Sequence, residues 1–226
     1  MESVPSIFRE SLAAALARLK IPTLPVQLAG MEAHFAAIID ANRTMNLTRI
    51  TDPVEAAIKH YADSLALLLW TDAVGVSEAT LLDIGTGAGF PALPLAVMRP
   101  DWSITAIDGT RKKVDFVARI ASEIGLGNLQ VEHGHSDHWR SNKKFGVVTT
   151  RAVAPLEQCI QWAQPHLAAG GRLAAYTTAE MDRDELVNAD KVASRLRMKT
   201  ESQYDYELEL AGERIRRALR VFVAAG

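Results

Sequence analysis

A single cysteine, Cys159, in 226 residues leaves no pair for a disulfide and no thiolate set for a zinc site. Long apolar runs are missing as well. The longest, such as LALLLW at 65–70, are far too short to span a bilayer. The opening ESVPSIFRE lacks the charged-then-apolar layout of a secretion signal, so a cytoplasmic protein is expected. Charge of one sign is not in excess. A net charge of −2 argues against indiscriminate nucleic-acid binding, while leaving room for a local basic patch. There is no internal repeat and no low-complexity tract. What remains, 48% hydrophobic and 23% charged residues, is an ordinary globular balance, enough for one structural domain with an appendage.

The chain is written in two grammars. Residues 1–70 read as a helical cap. SIFRESLAAALARLK places Ile7, Leu12, Leu16 and Leu19 near helical spacing, and IPTLP then breaks the pattern. A second helix follows over VQLAGMEAHFAAIIDANRTM, with Leu28, Met31, Phe35, Ile38 and Ile39 on one side. The third, DPVEAAIKHYADSLALLLW, has Asp52 as N-cap, Pro53 at the first helical position and Glu55 placed for a capping box. Over 71–226, short apolar strands alternate with helical segments: ATLLDIG, SITAID, NLQVEHG, FGVVTTRA and GRLAAYTT are the strands. Such alternation predicts right-handed βαβ crossovers and a mostly parallel sheet with helices on both faces, a Rossmann-like α/β fold. The strand order expected is 3-2-1-4-5, closed by an antiparallel pair from SQYDYELEL and ERIRRALRVFVAA.

The densest chemistry lies in LLDIGTGAGFPALPLA, residues 81–96. Ligands of doubly wound sheets bind beyond the carboxyl ends of the strands. Here Asp83 ends a strand, and Gly85, Gly87 and Gly89 clear side chains from a tight turn into a helix. The G-x-G-x-G spacing is not the G-x-G-x-x-G that cradles a dinucleotide pyrophosphate, and an acid before the first glycine suits a cationic or amino-bearing ligand. Asp108 ends the next strand, where a carboxylate can accept both hydroxyls of an adenosine ribose. Strand, acid, glycines, helix and second acid in this order predict an S-adenosylmethionine site of the class I methyltransferase type. The rivals are a nicotinamide or flavin Rossmann domain, and two acids that merely cap helices.

Four segments carry a resemblance: MNLTRITDPVEAAIKHYADSLALL (45–68), LLDIGTGAGFPALPLAVMRPDW (81–102), AIDGTRKKVDFV (106–117) and TTRAVAPL (149–156). In this order and spacing they resemble the bacterial glucose-inhibited division protein B family of methyltransferases. The NLT-x-x-x-DP-x-E followed by H-x-x-DS is its most telling part. The resemblance implies methyl transfer from S-adenosylmethionine to the seven-position nitrogen of a guanine in 16S ribosomal RNA, in the small ribosomal subunit. It implies cofactor contacts at Gly85 and Phe90, a ribose acid at Asp108, and adenine contacts at Ser136 and Asp137. It implies that Arg151 lies beside the reactive centre, that Lys112 and Lys113 form a substrate-side basic pair, and that Asn46, His60, Asp63 and Ser64 belong to the helical entry motif. Two departures stand out. Tyr176, Thr177 and Thr178 replace the family's common Leu-Lys-Gly, and His135 replaces a usual arginine near the adenine site.

Guanine's seven-position nitrogen carries an exposed lone pair, so alignment rather than a general base is what the reaction needs, and the motifs contain no obvious acid–base pair. Arg151 is the candidate for orienting substrate or holding an RNA phosphate, against a salt bridge to Asp83 or another strand-end acid. His60 and Asp63, one helical turn apart, either line the substrate cleft or fix the cap to the sheet. His133, His135 and His138 lack the H-E-x-x-H spacing, and no metal is expected. Arg214, Arg216, Arg217 and Arg220, like Arg111 with its two lysines, suit RNA phosphates or are solvated charge. Trp102 and Trp139 read as core, Phe90 as ligand-side, and Cys159 as a small core residue. A monomer is the simplest assembly. Methylation of another RNA or a small molecule on the same scaffold, and an RNA-associated cofactor binder without turnover, are the competing functions.

Overall fold

Leu81 and Leu82, Val147 and Val148, Ala174 and Ala175 are adjacent pairs whose members are buried on opposite sides of one sheet, as the two-residue period of a strand requires. A computed structural model describes residues 4–76 and 79–225, so the first residues of the amino-terminal segment lie outside the described residues. The strands are β1 (Thr80–Ile84), β2 (Ser103–Asp108), β3 (Leu129–His133), β4 (Phe145–Arg151), β5 (Leu167–Thr178), β6 (Met198–Leu210) and β7 (Glu213–Ala224). They form one sheet in the order β3-β2-β1-β4-β5-β7-β6. The first five are parallel, and β7 runs antiparallel between β5 and β6. This is the predicted order, and the architecture is that of a class I methyltransferase.

The helices are α1 (Val4–Arg18), α2 (Pro25–Met45), α3 (Pro53–Ala56), α4 (Asp63–Ala73), α5 (Ala92–Met98), α6 (Arg111–Glu123), α7 (Leu156–Ala163) and α8 (Arg183–Arg195). One face of the sheet carries α1, α2, α4, α5 and α6 in a single apolar cluster, so the helices that precede β1 share their core with the sheet. The other face is covered by α7 and α8. Phe8, Leu12 and Leu16 seat α1, each burial contributing about 1.5–3 kcal/mol. Phe8 rather than Ile7 faces inward, stacking on Phe35 at 4.5 Å. No helix is long and apolar enough to cross a membrane among the described residues.

The third helical segment differs most from expectation. Asp52 caps it, accepting the Glu55 N–H at 2.8 Å, but the Glu55 carboxylate turns away to Lys59 at 2.7 Å rather than closing a capping box. Between α3 and α4 the chain widens into a π-helical stretch, Ala57–Ala62. One extra residue per turn redirects backbone carbonyls, and such bulges concentrate at functional sites. His60 lies inside it.

Candidate functional site

Where β1 ends, Gly85 and Thr86 both donate backbone N–H groups to the Ile107 carbonyl of β2, at 2.9 and 3.0 Å. Gly85 has φ +77°, and a Cβ there would meet Val153 Cγ1 at 2.3 Å. Gly87 has φ +60°, yet a Cβ there would meet no protein atom closer than 4.0 Å. The first glycine is needed for the fold. The second leaves bare backbone facing a cleft. Asp108 closes the arrangement: its Oδ2 accepts the Gly87 N–H at 2.9 Å and its Oδ1 the Thr110 N–H at 2.8 Å.

The cleft, about 520 Å³, lies over the carboxyl ends of the parallel strands. Gly85, Gly87, Phe90, Asp108, Ser136 and Arg151 all line it, as does Lys113. Gly89 sits behind the turn, packed against the His34 ring. Three more expected residues stand elsewhere. Asp83 is not on the cleft wall: its side chain is buried beneath the turn and accepts from Thr149 Oγ1 at 2.9 Å. Burial pushes its carboxyl up to about 7, so it supports the turn from below instead of meeting a cationic ligand. Asp137 is exposed outside the cleft, where Trp162 Nε1 donates to it and His135 Nδ1 lies 3.2 Å from its carboxylate. Lys112, next to Lys113 in the first turn of α6, points to solvent.

On the cap side, the π-helical stretch and β4 meet through Arg151. Its Nη1 donates to Asp63 Oδ2 and to the Lys59 carbonyl, each at 3.0 Å. Its Nη2 reaches His60 Nδ1 at 3.4 Å. With Nδ1 an acceptor, the His60 proton resides on Nε2, which donates to Thr48 Oγ1 at 2.8 Å. Burial, with Arg151 adding to it, lowers His60 to about 4, and the neutral ring stacks on Phe90 at 4.7 Å. The partner of Arg151 is therefore a cap acid and not Asp83. Asp63 is itself 3% exposed. It also accepts from Tyr206 at 2.7 Å and from Arg217 Nε at 3.1 Å, so it locks the cap to β4, β6 and β7 more than it faces a substrate.

Other expectations fall out in the same way. Arg217 and Arg220 of the C-terminal arginine cluster are largely interior, Arg220 donating to Gln203 at 2.6 Å, while Arg214 and Arg216 pair with Glu207 and Glu180 at the surface. Only the latter two could meet RNA phosphates without rearrangement. Tyr176, in the departed triplet, donates to the Ser64 carbonyl at 2.6 Å and so ties β5 to α4. Trp102, Trp139 and Cys159 are buried.

One residue escaped the sequence reading altogether. His34 of α2 is fully buried, with Nε2 2.8 Å from the Ala88 carbonyl and Nδ1 2.9 Å from Tyr61 Oη. A carbonyl only accepts, so Nε2 carries the proton and Tyr61 donates to Nδ1. Burial lowers His34 to about 4. The sole hint in sequence was its place between Met31, Phe35 and Ile38 on the apolar face of α2.

Known proteins resemble this chain along most of its length. Ribosomal RNA small subunit methyltransferase G of Lactobacillus delbrueckii subsp. bulgaricus is 34% identical over 197 residues, covering 85% of this chain and 80% of that protein. The Solibacter usitatus protein of the same name is 34% identical over 201 residues, covering 88% and 93%. Among solved structures, a candidate RNA methyltransferase from Pyrococcus horikoshii aligns with a TM-score of 0.55 at 15% identity, over 72% of this chain and 84% of that one, a likeness of fold. The family model described as rRNA small subunit methyltransferase G matches residues 27–209, and the chain belongs to that family.

Proposed function

We infer that the protein transfers a methyl group from S-adenosylmethionine to the seven-position nitrogen of a guanine in 16S ribosomal RNA of the small subunit. The observation that carries the reading is the pairing of Gly87 with Asp108. A turn stripped of side chains stands against a carboxylate at the end of β2, each of whose oxygens has a lone pair left for a ribose hydroxyl. These residues fit the cofactor, which when bound supplies an electrophilic methyl on a sulfonium.

The chain's own contribution is alignment. Phe90 offers an apolar wall, with His60 stacked on it and the Arg151 guanidinium 5.3 Å from its ring centre. Arg151 is held by Asp63, the Lys59 carbonyl and His60, so it acts as a fixed cation beside the cleft rather than a mobile clamp. A lone-pair nucleophile loses no proton before attack, and a site built to hold geometry suffices. Incubating small subunits that lack the modification with tritium-labelled cofactor tests the reading. Label in the 16S RNA as 7-methylguanine is expected. Label in free nucleosides but not in subunits would overturn it.

A further inference from the structure

Beside the cofactor cleft lies a second cavity, of about 310 Å³. The two share His60, Arg151 and Ala152 as a common wall. Ala152 holds φ +53°, a left-handed conformation that an alanine rarely adopts, at the point where the cavities meet. The walls of the second cavity are apolar, from Ile50, Leu208 and Ile215. Its polar floor is Arg151, Arg217 and Asp63. Two guanidiniums there share one carboxylate, whose oxygens are already engaged by Tyr206, Arg151 and Arg217. The floor therefore has donors in excess of acceptors and a surplus of positive charge.

The geometry points to this cavity as the seat of the target base, with Arg217 as the residue that selects a purine bearing an oxygen at its six position. The assignment rests on the methyl-transfer reading above and makes it more specific. A guanidinium only donates, so it favours the O6 acceptor of guanine and repels the six-amino donor of adenine. Ile50, Leu208 and Ile215 provide apolar surface for the flat ring. With O6 turned toward Arg217, the adjoining seven-position nitrogen is left to face the shared wall and the cleft beyond it. Enzymes that modify a base commonly take it out of its stack into such a pocket.

Methyl-labelled isoleucine NMR on the whole protein with S-adenosylhomocysteine tests this without requiring turnover. GMP and IMP at millimolar concentration are expected to shift the Ile50 and Ile215 methyl signals, with AMP about tenfold weaker or more, the scale of discrimination by one guanidinium–guanine pair. Arg217→Met should abolish the preference while S-adenosylhomocysteine affinity stays unchanged. Should that variant not fold, the wild-type comparison decides alone. Equal shifts from AMP, shifts confined to other isoleucines, no shift with any nucleotide, or a preference that survives in Arg217→Met would overturn the assignment. If small subunits take up no label while GMP still shifts these two residues selectively, the cavity assignment stands and the methyl-transfer reading falls.

Discussion

His34 donates its Nε2 proton to the Ala88 carbonyl at 2.8 Å, fastening the second helix of the cap to the glycine turn. The turn is thus shaped from two sides: by Asp108 through the Gly87 N–H, and by a neutral, buried imidazole through the next residue's carbonyl. The glycine turn in this protein is only as rigid as the cap that grips it.

His34→Leu should expose that dependence. It strips a donor from the Ala88 carbonyl and an acceptor from Tyr61, both buried, at a cost of about 2–4 kcal/mol in all. Urea denaturation is expected to show this loss, with weaker cofactor binding by calorimetry under conditions where the variant is folded. His34→Gln, whose amide nitrogen can still donate to Ala88, should recover most of the affinity.

Two glycines separated by one residue should respond in opposite ways. Gly85→Ala drives a Cβ into Val153 in a left-handed conformation and should destabilise the fold by about 2–5 kcal/mol. Gly87→Ala meets nothing in the protein and should lose only about 1–2 kcal/mol of stability. Its added methyl projects into the cleft, so cofactor affinity should fall while the melting temperature drops by only about 2–8 °C. Thermal melts paired with calorimetry separate the two; a Gly87→Ala variant with full affinity would remove the turn from the cofactor site.

Asp63→Ala leaves two interior guanidiniums without their shared carboxylate. The expected loss is about 3–5 kcal/mol in denaturant titration. Arg217→Met should be milder, because Asp63 keeps Arg151 at 3.0 Å and Tyr206 at 2.7 Å.

The pH dependence of stability is set mainly by three strongly shifted buried groups, and His166, also lowered by burial, acts in the same direction as the other histidines. His34 and His60 sit at about 4 in the folded chain against an ordinary 6.5. Between those values the unfolded chain holds protons that the folded one lacks, so their contribution grows as pH rises through the window. Asp83 works in reverse: at about 7 against an ordinary 3.8, it keeps a proton in the folded state, and its contribution shrinks with rising pH. Near pH 5 the two histidines outnumber the one carboxyl, leaving a net of about one proton favouring the unfolded chain. Stability should therefore climb between about pH 4.5 and 6, and more steeply in Asp83→Asn, where the opposing proton is gone. Urea titrations across that range measure both slopes; a flatter curve for Asp83→Asn would refute the assignment to Asp83.

The sheet was legible because its strands announce themselves: apolar runs such as ATLLDIG end on acids and glycines at the edge where ligands bind. Asp108 and Gly87 could be placed for that reason alone. Asp83 could not, since a residue at a strand end can point to either face, and only the β4 neighbour Thr149 shows that it points inward. Arg217 lies 154 residues from Asp63, and no local pattern links a C-terminal strand to a cap helix. Arginines on β7 looked open to RNA phosphates or to solvent because sequence counts charges without showing that β6 covers that strand. His34 went unread because a polar residue amid apolar ones looks like a break in the stripe until its two partners are seen.

The π-helical stretch has one consequence for how this chain could vary. Removing a single residue from Ala57–Ala62 would let the segment relax into regular α-helix, the commoner local form. Here it would swing everything on the amino-terminal side by about 100° relative to Asp63, one residue's share of a helical turn. Lys59 would no longer offer its carbonyl to Arg151, and the NLT segment would lose its register with His60. Insertions and deletions should thus be rarer in these six positions than in the loops on either side, even though the shorter version would make the more regular helix.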